Sequence, residues 1–122
     1  TEAASLIRRV GSDHLSLLWD PGNSAMAGAE SPYPDEYAGL KDLVSHVHLK
    51  NCRNNKWALI DDGPIDWPGQ LAALAADNYD GFIAIETHLK ERPPGLDLHD
   101  GLDGLESNTR HNLDYVRSLL IP

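Results

Sequence analysis

Val44-Ser45-His46-Val47-His48-Leu49 reads with a period of two: His46 and His48 fall on one side of an extended chain, Val47 and Leu49 on the other. That pattern predicts a β-strand whose faces meet different surroundings. Upstream, Pro34 followed by Asp35 and Glu36 predicts a helix start, with proline and acids in the first turn, and a helix running through Tyr37, Leu40 and Leu43. Before it, Leu15-Ser16-Leu17-Leu18-Trp19 is a short apolar run between turn residues and predicts another strand. The residues from Thr1 to Val10 predict a helix, and those from Asp20 to Pro34 a loop. Downstream, a polar loop with Asn51, Asn54, Asn55 and Gly63 leads to Asp66, a helix cap ahead of the Ala/Leu-rich run Trp67 to Ala76. Gly81 to Glu86 predicts a third strand. A long loop from Thr87 to about Gly104 precedes a last helix, Glu106 to Leu120.

The order α-β-α-β-α-β-α implies right-handed crossovers and a parallel sheet in a single α/β domain, residues 1–122. Ten Lys and Arg against nineteen Asp and Glu give a net charge of −9, which argues against a phosphate-backbone binder and hence against a nucleic-acid partner. The single cysteine, Cys52, excludes an internal disulfide and any Cys-only zinc site. No run approaches the roughly 18 apolar residues of a membrane span, and no signal segment opens the chain. The expectation is a soluble, cytoplasmic protein without a membrane partner.

The chemistry falls at the strand ends. In parallel α/β sheets the carboxyl ends of all strands lie on one side, so Asp20, His48 and Glu86 are expected to converge although far apart in sequence. Strand parity supports this. Ser16, Leu18, Val44, His46, Phe82 and Ala84 share their side, whereas Leu15, Leu17, Trp19, Val47, Leu49, Ile83 and Ile85 form the apolar sets that covering helices need. An Asp/His/Glu set suits a hard or borderline divalent ion: Mn²⁺, Mg²⁺, Co²⁺ or Zn²⁺. The competing reading of each carboxylate is a helix cap or a solvated charge.

Four motifs, Trp19-Asp20-Pro21-Gly22-Asn23, His46-Val47-His48-Leu49-Lys50, Gly63-Pro64-Ile65-Asp66-Trp67 and Ile85-Glu86-Thr87-His88, come in an order that resembles the xylose isomerase-like sugar isomerase/epimerase superfamily, which includes type 2 apurinic endonucleases. The chain resembles the C-terminal half of such a (β/α)₈ barrel, with its three strands as strands six to eight and four helices between and around them. The resemblance implies Asp20, His48 and Glu86 as metal ligands, with the strand-five Glu of the family lacking a counterpart. It also implies Glu86 as the catalytic carboxylate that moves a proton beside a carbonyl of a sugar, sugar phosphate or sugar acid.

Departures from the family pattern sharpen the choice. Asn23 stands where many relatives carry a His, and Lys50-Asn51 where Lys-Asp is frequent. Asp61-Asp62-Gly63 lacks the His that the endonucleases use for extra zinc. Asn23, His46, Lys50, Arg53 and His88 are the candidate substrate contacts. His46 either lines the pocket or is a hydrogen-bonded core histidine, and for Lys50 and Arg53 surface solvation is the alternative. Trp57 and Trp67 wall the pocket or simply pack. His14, His99 and His111 are expected to be exposed without partners, and Cys52 to sit in a polar loop. A (β/α)₈ barrel takes about 250 residues, so three strands are expected either to self-associate or to join the missing half-barrel. A catalytically silent half-barrel or binding module is the alternative to an isomerase, with nuclease activity ranked last.

Overall fold

The computed structural model describes residues 1–91, 93–94 and 102–120. Three strands, β1 (Leu17–Trp19), β2 (Val44–Leu49) and β5 (Phe82–Ile85), form one parallel sheet in the order β1-β2-β5. Leu18 lies opposite His46 and Trp19 opposite Val47, while His48 pairs with Ala84 and Leu49 with Ile85. Strands that are neighbours in sequence are thus neighbours in space, and their carboxyl ends coincide.

Helix α1 (Glu2–Val10) is capped by the Thr1 hydroxyl and ends at Gly11, whose φ of 60° suits glycine. Helix α3 (Trp67–Ala76) starts where expected: the Asp66 carboxylate accepts from the Gly69 amide at 3.0 Å, with Pro68 in the first turn. Helix α4 (Gly104–Leu120) begins two residues before the expected start. The core joins Trp19, Val47 and Leu49 of the sheet to Trp67, Leu71 and Leu74 of α3, with Tyr37, Leu40 and Val116 beside them. This is the face predicted to need helices. Leu18 and Phe82, on the other side, are exposed, and Val44 is only partly buried. Ile83 departs from its set: it lies on the edge strand and is 36% exposed.

Four local expectations are corrected. The first strand is shorter than the Leu15–Trp19 run, and Leu15 is exposed outside it. The Asp20–Pro34 loop contains a short helix, α2 (Pro21–Met26), started by an Asp20 cap and a proline at its first position. The helix expected from Pro34 to Leu43 is broken: the helical backbone that runs from Pro34 to Ala38 gives way to a turn at Gly39-Leu40, where Leu40 has φ −137°, and a single tight turn, Lys41–Leu43, leads into β2. The polar loop after β2 holds an antiparallel hairpin, β3 (Asn51–Arg53) and β4 (Lys56–Ala58). Asn54 and Asn55, at φ of 52° and 57°, make its left-handed turn. Cys52 is therefore a buried strand residue, and burial foremost, then the Asp20 charge, raises its thiol pKa. No helix among the described residues is long and apolar enough to cross a membrane.

Candidate metal centre

Asp20 ends β1 and caps α2. Its Oδ1 accepts from the Asn23 amide at 2.8 Å, which leaves Oδ2 buried and without a hydrogen-bond partner. The cap and ligand readings of this carboxylate are therefore compatible, one for each oxygen. His48 projects from β2, and its Nδ1 lies 3.7 Å from Asp20 Oδ2 and 3.2 Å from Glu86 Oε2. Glu86 follows β5, where its amide donates to the Leu49 carbonyl at 3.1 Å. One donor atom from each of Asp20, His48 and Glu86 falls within 4.8 Å of the others, the one such cluster of three among the described residues.

The donor set fits a divalent cation. It offers two carboxylates and an imidazole, the mixture that hard and borderline ions accept. Asp20 Oδ2 is buried and accepts no hydrogen bond; the cation that faces it, the Lys50 ammonium at 3.4 Å, does not donate to it, so the oxygen keeps its lone pairs for a closer cation.

Lys50 occupies the middle of the cluster. The alternative reading of Lys50 as a solvated surface lysine does not hold, since the residue is 3% exposed. Its ammonium pairs with Glu86 Oε2, lies 3.4 Å from Asp20 Oδ2 and donates to Asn23 Oδ1 at 3.1 Å. It also stands 4.4 Å from the centre of the Trp57 ring, a cation–π contact. Glu86 is held below the usual carboxylate range, by the hydrogen bond from Lys50 first and by the Lys50, His48 and His88 charges, against the upward push of burial. The carboxylate is thereby kept ionised.

The surrounding motifs explain how Lys50 is seated. A Cβ on Gly22 would lie 3.0 to 3.1 Å from the Lys50 side chain and backbone, so glycine there gives the lysine stem its room. The Lys50 carbonyl accepts from the Trp67 indole at 3.1 Å, and Trp67 is fully buried. Trp67 is thus packing rather than pocket wall. Asn51 is buried too: it donates to the Ile60 carbonyl at 2.8 Å and accepts from the Cys52 amide at 3.0 Å and the Ile65 amide at 3.4 Å. An aspartate could not make the first of these bonds, which accounts for Lys50-Asn51 in place of Lys-Asp. A Cβ on Gly63 would lie 2.1 Å from Asn51 Oδ1. The Gly63-to-Trp67 motif therefore holds the loop beneath the site and contributes no reacting group.

Of the other candidates, Asn23 reaches the cluster through Lys50, and the His46 ring meets His48 edge-on at 5.2 Å. His88 Nε2 lies 3.3 Å from Glu86 Oε1, and its ring stacks on Trp57 at 5.1 Å. Arg53 turns instead to Asp62, at 3.0 Å, on an exposed part of the hairpin. His14 is exposed as expected. His111 is not partnerless: its Nε2 meets Asp61 at 2.9 Å. His99 lies outside the described residues. The residue undervalued from sequence is Lys50, and the one signal for its burial was Gly22, a glycine directly after a capping Asp-Pro.

The family model for the xylose isomerase-like TIM barrel matches residues 1–119. No curated protein and no solved structure matches the chain.

Proposed function

The chain belongs to the xylose isomerase-like TIM barrel family, and from that premise we propose that it carries the metal-binding part of a sugar isomerase or epimerase dependent on a divalent ion. The convergence of Asp20, His48 and Glu86 donor atoms within 4.8 Å carries this reading. A divalent ion bound there supplies Lewis-acid polarisation of a substrate carbonyl and its neighbouring hydroxyl. Glu86 moves the proton at the adjacent carbon, a role its ionised state permits and one that typically contributes roughly 10²- to 10⁴-fold. Its two oxygens divide the work: Oε2 faces His48, while Oε1 faces His88 at 3.3 Å, where the imidazole receives or returns the proton.

The substrate is a small polyhydroxylated molecule, a sugar, sugar phosphate or sugar acid. Asn23, His46 and His88 border the cluster and contact its hydroxyls, Lys50 meets its developing negative charge, and Arg53 stands further out as a rim contact. Abasic DNA is the less favoured substrate, since the net charge is −9 and Asp61, paired with His111, is part of no cluster of three ligating groups among the described residues. Leu18 and Phe82 stand on the side of the sheet that bears the site, and in the working protein we place further barrel strands over them.

Titration of Mn²⁺ into the wild-type chain, Asp20→Asn, His48→Ala and Glu86→Gln tests the reading. Each variant is expected to bind at least about tenfold more weakly, because ligand charge and number set affinity for such ions. Variants that bind as well as wild type would remove the chemical basis of the proposal. Turnover of abasic DNA alone, in a panel with ketoses and sugar phosphates, would reverse the substrate ranking.

A further inference from the structure

Asp20 Oδ2 and Glu86 Oε2 are the oxygens nearest His48 Nδ1, at 3.7 and 3.2 Å, and so the ones placed for a shared ion. The Lys50 ammonium lies against those same two oxygens. A lysine ammonium and a divalent cation are both strongly attracted to a carboxylate oxygen, and they repel each other when brought together in a partly buried site. Holding both against the same oxygens costs that repulsion, and the lysine, on a flexible stem, is the one that can move.

We propose that Lys50 is a resident counter-cation of the metal centre, neutralising Asp20 and Glu86 before the divalent ion arrives and giving up their oxygens when it binds. The proposal rests on the metal-centre reading above and adds a role for Lys50 to it. The fold is shaped for this lysine. Gly22 leaves space for its stem, and the Trp67 indole fixes its carbonyl at 3.1 Å, so the backbone stays while the side chain moves. Two further groups already face the ammonium: Asn23 Oδ1 at 3.1 Å and the Trp57 ring at 4.4 Å. They give the displaced charge an acceptor and an aromatic face within reach of its present position. That position borders the site where substrate oxygens gather, so the same movement delivers the cation to the negative charge that develops on the substrate.

Two measurements test the displacement. Mn²⁺ binding by calorimetry is expected to tighten roughly tenfold in Lys50→Met, since a competing charge is gone, whereas Lys50→Arg, which keeps the charge, stays weaker than Lys50→Met. Amine-reactive labelling of the wild-type chain, mapped by mass spectrometry, is expected to show Lys50 protected without metal and several-fold more reactive at saturating Mn²⁺, and this arm needs no variant to fold. Unchanged or weaker binding by a folded Lys50→Met, or Lys50 labelling that does not respond to Mn²⁺, would overturn the proposal. Failure of the metal-centre reading is separately visible, as Asp20→Asn binding Mn²⁺ like wild type.

Discussion

The two faces of the parallel sheet use the same three strands for opposite purposes. On one, Trp19, Val47 and Leu49 are almost wholly buried in a core shared with α3. On the other, Leu18 and Phe82 are 46% and 82% exposed, and the polar groups of β2 gather toward the strand ends. The buried face gains its stability from apolar area removed from water. The open face carries charge, and what order it has comes from the Lys50–Glu86–Asp20 contacts and from the loop packed beneath them. The fold therefore separates the part that holds the chain together from the part that does chemistry. Perturbations of the two faces should differ in size and in kind.

The largest effect is expected on the covered side. Trp67→Ala removes a fully buried ring and the indole that holds the Lys50 carbonyl. Truncating a buried Trp typically costs about 3–5 kcal/mol, so denaturant unfolding should show a loss of that order, with weakened Mn²⁺ binding as a consequence of the displaced Lys50 backbone. A loss below about 1 kcal/mol, within the range of surface substitutions, would mean that the two faces are not separated as described.

Asn51→Asp tests the seam between the faces. The change keeps the shape but replaces the donor to the Ile60 carbonyl with a second acceptor, in a residue only 1% exposed. Leaving a buried group unsatisfied costs about 1–3 kcal/mol and more when charged. The expected loss is roughly 2–3 kcal/mol by the same measurement, smaller than for Trp67. A neutral result would show that the loop adapts to the carboxylate and that Asn51 does not specify it.

The sequence made some of this legible and hid the rest, for identifiable reasons. The β2 alternation and the parity of Asp20, His48 and Glu86 are local or depend only on strand direction, so periodicity revealed them. Asp66 announced its helix in the same way. The β3–β4 hairpin was hidden because Asn51, Arg53, Asn54, Asn55 and Lys56 are all polar, and its buried positions depend on contacts with Ile60 and Ile65 further along the chain. The Asn54-Asn55 pair was its available signal. The interruption between Pro34 and Leu43 also escaped, although Gly39, a poor helix former, stands at the turn where the helix stops and where Tyr37 and Leu40 enter the core. The Lys50 position had no signature beside the lysine itself, and its one signal, Gly22, lies on another element. It requires the lysine, Gly22, Asn23, Trp57 and Glu86 to meet from different elements.

The covered face also contains a polar device, and pH separates it from the metal centre. The Tyr37 phenol donates to Asp77 at 3.1 Å, and Lys41 pairs with the same carboxylate. Burial foremost, then the Asp77 hydrogen bond and charge, pushes the phenol up from 10.0 to about 12. The hydrogen bond from Lys41 foremost, with that from Tyr37, holds Asp77 below its ordinary value. The raised phenol contributes stability fully present below pH 10.0, which is lost as the pH climbs from there toward 12. The lowered Asp77 contributes stability present above its ordinary range and lost as the pH falls below it. Tyr37→Phe should cost about 1 kcal/mol at neutral pH, the scale of one hydrogen bond, and should shallow the alkaline limb between pH 10 and 12 in a melting-temperature profile. An alkaline limb of unchanged steepness would assign that loss to other groups.

The smallest effect on stability belongs to the open face. Phe82 exposes most of its ring at the start of an edge strand, so removing the ring uncovers little that is now buried. Phe82→Ser should leave the unfolding free energy of the 122-residue chain within about 0.5 kcal/mol of wild type, the usual range for a surface change. Its effect should appear in association instead. An exposed aromatic next to unpaired strand edges favours contact with further strands, whether supplied by a second copy or by the rest of the barrel. Sedimentation velocity over a concentration series should therefore show less self-association in Phe82→Ser than in wild type, with secondary structure unchanged by circular dichroism. If both chains sediment as compact monomers at every concentration, Phe82 lies on a face that needs no covering. If instead the serine variant unfolds at markedly lower denaturant, the ring is part of the core, and the division of labour between the two faces fails at the residue where it predicts least.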